Sequence, residues 1–179
     1  EVHKHVESSH LTPEHEAALV LPHGTTWTCE ASHELSNVNG AGNLDFWLTA
    51  RRAGCPMKLF PLPGSAVPPT GYETTGGHFG AAEQARFMAH PMVPGLDEVM
   101  DWPAVSDPAN PSHGRLWGMI GATLAGRGVV EGHGAGLRDF DTASLDEIER
   151  VSTLPGAQAH VMNPIKSRAL IRAAYFDYG

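Results

Sequence analysis

Cysteine is scarce: the 179 residues hold only Cys29 and Cys55. Two thiols support neither a disulfide framework nor a cysteine zinc cluster, and a reduced, cytoplasmic setting is the default expectation. Basic residues are also few, 12 Lys and Arg against 20 Asp and Glu, giving a formal net charge of −8. A phosphate-backbone partner favours a basic face, so nucleic acid is not an expected partner. No apolar run approaches the ~20 residues of a membrane span, and no signal-peptide pattern or initiator Met is present. No internal repeat, low-complexity block or interdomain linker is evident. What is there is a globular composition, 41% hydrophobic and 18% charged, long enough for one domain with a core. Histidine is the one excess. Its 11 residues justify a search for metal chemistry.

Short apolar runs alternate with helix-like stretches. His3 and His5 flank one residue in EVHKHVESSH, so on an extended strand they point to the same side. Leu11 to Glu14 reads as a helix start, with Thr12 as N-cap and Pro13 at the first helical position, and the helix stops near Pro22–Gly24. Thr25 to Cys29 is β-branched and aromatic and predicts a buried second strand, with Cys29 as a small buried hydrophobe. Asn43 to Ala53 predicts a helix with Leu44, Trp47 and Leu48 on one face and Gly54 as its stop. Further strands are expected at 57–62, 93–100 and 128–132, with helices at 81–90, 116–125 and 141–151. Five alternations of strand and helix argue for parallel βα units. Residues 141–179 resist placement beyond a helical tail, in which Lys166, Arg168 and Arg172 read as a solvated face.

The chemically capable residues fall at strand ends. His3 and His5 end the first strand, Glu30 and His33 follow the second, and Ser65 follows the third. Glu98 lies in the fourth, and His133 sits just past the fifth. In a parallel α/β barrel these ends converge on one mouth, where ligands bind. Imidazoles with a carboxylate suit Zn, Fe or Mn, and a second ion needs a bridging acid, a role open to Glu98. Asp97 and Asp101 point elsewhere if their segment is extended. His10, His15, His23, His78, His90 and His113 read as solvated or turn-side residues. Gly132, Gly134 and Gly136 lack the lysine of a phosphate loop and fit close backbone approach instead.

The stretch from His3 to Pro13 resembles the opening of the adenine deaminase barrel in the amidohydrolase superfamily, which reads H-x-H-I-E-S-S-x-L-T-P. Further blocks match in order: LPHGTT at 21–26, HELSNV at 33–38, LPGSAVPPTGYET at 62–74, GLDEVMDWP at 95–103 and EGHGAGL at 131–137. The resemblance implies a (β/α)8 TIM-barrel fold with a binuclear divalent metal centre of Mn, Fe or Zn. His3 and His5 would bind the more buried ion, Glu98 would bridge the two and be a catalytic residue, and His133 would bind the second. Glu30, His33 and Ser65 would lie at the same mouth as substrate contacts. The implied reaction converts adenine to hypoxanthine and ammonia.

The chain also departs from that pattern. Ala31-Ser32-His33-Glu34 stands where the family commonly has D-P-H-E, and Glu30, one residue earlier, is the expected substitute for the acid. Lys4 between the histidines is unusual and should point away from the metal. The strand-six His and the late Asp of the superfamily have no counterpart. A full barrel takes ~250 residues, so the expectation is a partial barrel of about five βα units over 1–140. The tail over 141–179 is expected to be divergent. Open strand edges in such a piece favour association of copies. Two alternatives accompany the purine reading: an amidohydrolase for another cyclic C–N substrate, and a non-catalytic fragment keeping part of a metal site.

Overall fold

Thr12 and Pro13 start the first helix as predicted. Thr12 is extended (φ −74°, ψ 158°), its Oγ1 accepts from the His15 N–H, and α1 (Pro13–Val20) follows. In this computed structural model, residues 1–132 and the short strand 159–161 are described. His133, the expected helix at 141–151 and the basic residues 166–172 lie outside them, as does the expected boundary at residue 140.

The elements after α1 are β1 (Trp27–Ala31), α2 (His33–Asn39), α3 (Gly42–Arg52), β2 (Lys58–Leu62), α4 (Ala81–Met88) and β3 (Gly95–Val99). Then come α5 (Trp102–Ser106), α6 (His113–Ala125), β4 (Val129–Gly132) and β5 (Ala159–Val161). Within the expected tail, the residues that are described are this last strand. β1 pairs with β2, and β4 lies between β3 and β5; every pairing is parallel. The segment that follows β2 is tied to β3 by a backbone hydrogen bond from Asp97 N–H to Pro63 O at 2.9 Å. The described residues therefore form a mixed α/β structure of two short parallel sheets with helices, and they do not close a barrel.

Three local expectations are corrected. The first strand is reduced to one parallel bridge, Lys4 opposite Glu30, with Lys4 N–H donating to Cys29 O and Ala31 N–H donating to Lys4 O. The second strand starts and ends two residues later than expected, because its pairing with β2 runs from Trp27–Lys58 to Ala31–Leu62. Cys29 is then half-buried rather than buried. Helices α2 and α5 were not expected at all. Low-propensity Ser and Asn hide α2 in the sequence. Its cap arrives from a distant segment: the Glu7 carboxylate accepts from Glu34 N–H at 2.7 Å and Leu35 N–H at 2.9 Å.

One irregularity in β3 controls the site. Leu96 is opposite Val130 and Val99 is opposite Gly132. Asp97 and Glu98 together therefore face the single residue Glu131, which is a β-bulge. A bulge interrupts the alternation of side chains, so adjacent acids need not point to opposite faces. Gly132 permits the close strand approach beside it, since a Cβ there would come 2.3 Å from Val99 O.

Two apolar clusters support these elements. One packs Leu48, Phe87, Leu96, Met119 and Val130 between the helices and the β3–β4 pair. The other gathers Val6, Ala17, Trp47, Met57 and Leu59 beneath the H-x-H segment. Trp47 is 1% exposed. Trp47→Ala is expected to cost about 3–5 kcal/mol of stability through lost burial and the cavity left behind. Urea unfolding checks this; a loss under about 1 kcal/mol would mean the second cluster does not anchor the segment.

Candidate metal centre

The H-x-H pair is held from both sides by buried acids. Glu30 is fully buried, and both its carboxylate oxygens accept from Val6 N–H at 3.0–3.1 Å, fixing the residue after His5. Lys4 turns away from the histidines, as expected, and its ammonium meets the buried Glu16 of α1. The backbone through His3–His5 is thereby pinned to β1 and α1.

So fixed, the two imidazoles converge. His5 Nδ1 donates to Ala31 O at 2.6 Å, and His3 Nδ1 donates to Glu131 Oε1 at 2.8 Å. With those protons on Nδ1, a neutral ring keeps a lone pair on Nε2. The two Nε2 atoms face each other at 3.0 Å. Glu98 closes the group, with Oε2 at 3.4 Å from His3 Nε2 and Oε1 at 3.6 Å from His5 Nε2. Two lone pairs and a carboxylate converging on one point repel unless a proton or a cation lies among them. A divalent metal fits this donor set. Outward N–H bonds to a carboxylate and a carbonyl also match the support that metal-binding histidines usually have.

A third histidine joins from α2. His33 lies edge-on to His5, ring centroids 4.9 Å apart, and its Nδ1 is 3.3 Å from Asp97 Oδ2 and 3.4 Å from Glu98 Oε1. Asp97 is fully buried. Its presence corrects the expectation that it points elsewhere, and the β3 bulge is the reason. Asp101 does lie elsewhere, capping α5 through Ala104 N–H at 3.1 Å.

The electrostatics follow from the crowding. The Glu131 hydrogen bond raises His3 above its ordinary pKa against the opposing effect of burial, and burial raises Glu131 itself. Burial works against a charge on His33, but Asp97 and then Glu98 more than offset it, so His33 is also raised. Asp97 is pushed up by burial, and Glu30 by the same cause to about 9.

Of the seven site residues expected from the sequence, His3, His5, Glu98 and His33 meet in one cluster, and His133 lies outside the described residues. Glu30 and Ser65 are both directed at backbone. Ser65 Oγ donates to Glu98 O, and Arg115 in turn donates to Ser65 O at 3.0 Å, so this chain of contacts supports the β3 bulge. Sequence reasoning missed Asp97, Glu131 and Glu7. Glu131 was within reach, because it stands two residues before His133 in the sequence, the spacing that alternation along a strand would put on one side.

No protein-family model matches the chain. Among curated proteins it is similar to adenine deaminase 2 of Bradyrhizobium diazoefficiens, with 76% identity over 141 residues, 78% of this chain and 23% of that protein. Adenine deaminase 2 of Jannaschia sp. is 73% identical over 143 residues, 79% of this chain and 23% of that protein. The adenine deaminase of Oceanobacillus iheyensis is 35% identical over 139 residues, 78% of this chain and 23% of that protein. The chain thus spans about a quarter of the length of the curated relatives it matches.

Proposed function

The chain belongs to the adenine deaminase family, and from that premise we propose that it carries the metal-binding part of a site that deaminates adenine to hypoxanthine. The observation that carries this reading is the convergence of His3 Nε2, His5 Nε2 and the Glu98 carboxylate, within 3.0–3.6 Å of one another. His3, His5 and Glu98 would hold a divalent Mn, Fe or Zn ion, and His133 would contribute to a second. Bound there, the metal supplies a water acidic enough to act as a nucleophile near neutral pH.

The chain's own groups do the rest. Glu131 and the Ala31 carbonyl keep the two imidazoles in the tautomer that turns Nε2 inward. Glu98, 4% exposed, would stand beside the attacking water and take its proton as that water adds to the amino-bearing ring carbon. His33, edge-on to His5, would contact the purine, whose exocyclic amine would leave as ammonia. We further propose that the parallel strands belong to a TIM-type barrel, whose strand ends would gather these residues at one mouth. A free purine as substrate, a cytoplasmic setting and association of copies belong to the same proposal.

The expected result is ammonia release from adenine by the purified chain loaded with Mn2+, Fe2+ or Zn2+, abolished by a chelator. Stoichiometric metal binding without ammonia would favour the second reading, a non-catalytic piece that keeps part of the site. Failure to bind any of the three metals while folded would reject both.

A further inference from the structure

Asp97 stands 3.3 Å from His33 and also lies near His3 and Glu131, its carboxylate within 4.8 Å of their ligand atoms. Asp97 Oδ1 accepts from Glu98 N–H at 2.7 Å, which turns the other oxygen, Oδ2, toward α2. Oδ2 and His33 Nδ1 are both buried, neither has an aligned hydrogen bond, and they lie 3.3 Å apart. The alternative acceptor, Glu98 Oε1 at 3.4 Å, is already within 3.6 Å of His5 Nε2, and the other Glu98 oxygen is within 3.4 Å of His3 Nε2. Two buried polar atoms facing each other without other partners favour a proton between them, because either one left bare keeps its full desolvation cost.

We propose that Asp97 is a positioning residue that keeps the proton of neutral His33 on Nδ1 and so presents Nε2 to the substrate as a hydrogen-bond acceptor. The β3 bulge is the device that makes this possible. In a regular strand Asp97 and Glu98 would face opposite sides, and only one could reach the pocket. An acceptor at Nε2 suits a donor N–H, such as the amino group or a ring N–H of a purine. The substrate side of this inference rests on the deaminase reading; the tautomer side does not.

Long-range 1H–15N spectra of the chain labelled with 15N-histidine distinguish the two neutral tautomers directly. His33 is assigned by the signals lost in His33→Gln, at alkaline pH where the rings are neutral. The native chain is expected to hold His33 as the Nδ1–H tautomer. Asp97→Asn is expected to switch it to Nε2–H, because the Asn amide would donate to Nδ1 while its oxygen keeps the Glu98 N–H. An Nε2–H tautomer in the native chain overturns the proposal. So does an Nδ1–H tautomer that survives in Asp97→Asn, which would assign the proton to Glu98. Displacement of the His33 Nδ1 resonance by stoichiometric Zn2+ also overturns it, since the ring would then be a ligand. If Asp97→Asn does not fold, the native tautomer and the Zn2+ titration decide. In the metal-loaded chain, Asp97→Asn is expected to lower kcat for adenine about tenfold or more with metal content unchanged. A native chain that turns over no adenine rejects the deaminase reading, whereas the spectra alone judge Asp97.

Discussion

Glu98→Gln is expected to leave the chain folded while weakening divalent-metal binding by at least about a hundredfold. Gln keeps the shape of the side chain and removes the charge that faces His3 and His5 at 3.4 and 3.6 Å. Losing residues that merely support a metal ligand already costs about 10–100-fold in affinity, and Glu98 would touch the ion itself. A hundredfold corresponds to about 2.7 kcal/mol. Metal-dependent ammonia release should fall at least as far, since the same carboxylate would take the proton of the attacking water. Equilibrium dialysis with metal analysis reads the first effect and a coupled ammonia assay the second. Unaltered metal affinity in a folded Glu98→Gln chain would remove Glu98 from the site.

The second large effect is on stability and comes from Glu30. Its pKa is raised from 4.5 to about 9, burial being the largest cause. Between those values the folded chain holds a proton that the unfolded chain has released. Stability therefore falls as pH rises, by up to about 1.4 kcal/mol per unit, and is fullest below pH 4.5 as far as this group is concerned. From pH 6 to pH 8 the metal-free chain should lose about 2–3 kcal/mol through Glu30. Glu7, raised to about 7, adds a loss of the same sign. Glu30→Gln still offers an oxygen to Val6 N–H, so the variant should keep the fold with a flatter dependence on pH. Denaturant unfolding at several pH values, with chelator present, compares the two slopes. Parallel curves for the two chains would show that Glu30 is ionised in the fold.

Much of the site was legible because it depends on local spacing. Alternation along an extended segment puts His3 and His5 on one side whatever surrounds them, and the structure joins them at 3.0 Å. Thr12 and Pro13 carry their helix start in their own chemistry. The strand residues announce themselves by β-branching and burial, although the boundary of β1 waited on its pairing with β2.

The parts that could not be read depend on groups remote in sequence. Helix α2 takes its cap from Glu7, 27 residues away from Glu34, so no signal for it exists near His33. Glu30 reads as a site acid because it follows the expected second strand, and in the fold its carboxylate accepts from Val6 N–H. Asp97 was excluded by a rule of alternation that the bulge suspends, and a bulge is set by two strands together rather than by either one.

The sequence by itself determined the residue types and their order: two histidines one residue apart, then an acid and further histidines at the expected ends of strands. Only the tertiary structure decided which acids gather around the histidines. Glu30 and Ser65 are buried with backbone partners, and the register of β3 on β4 brought Asp97 in beside Glu98. A side chain's chemistry is written in the sequence, but its direction is fixed by the strands and helices packed against it.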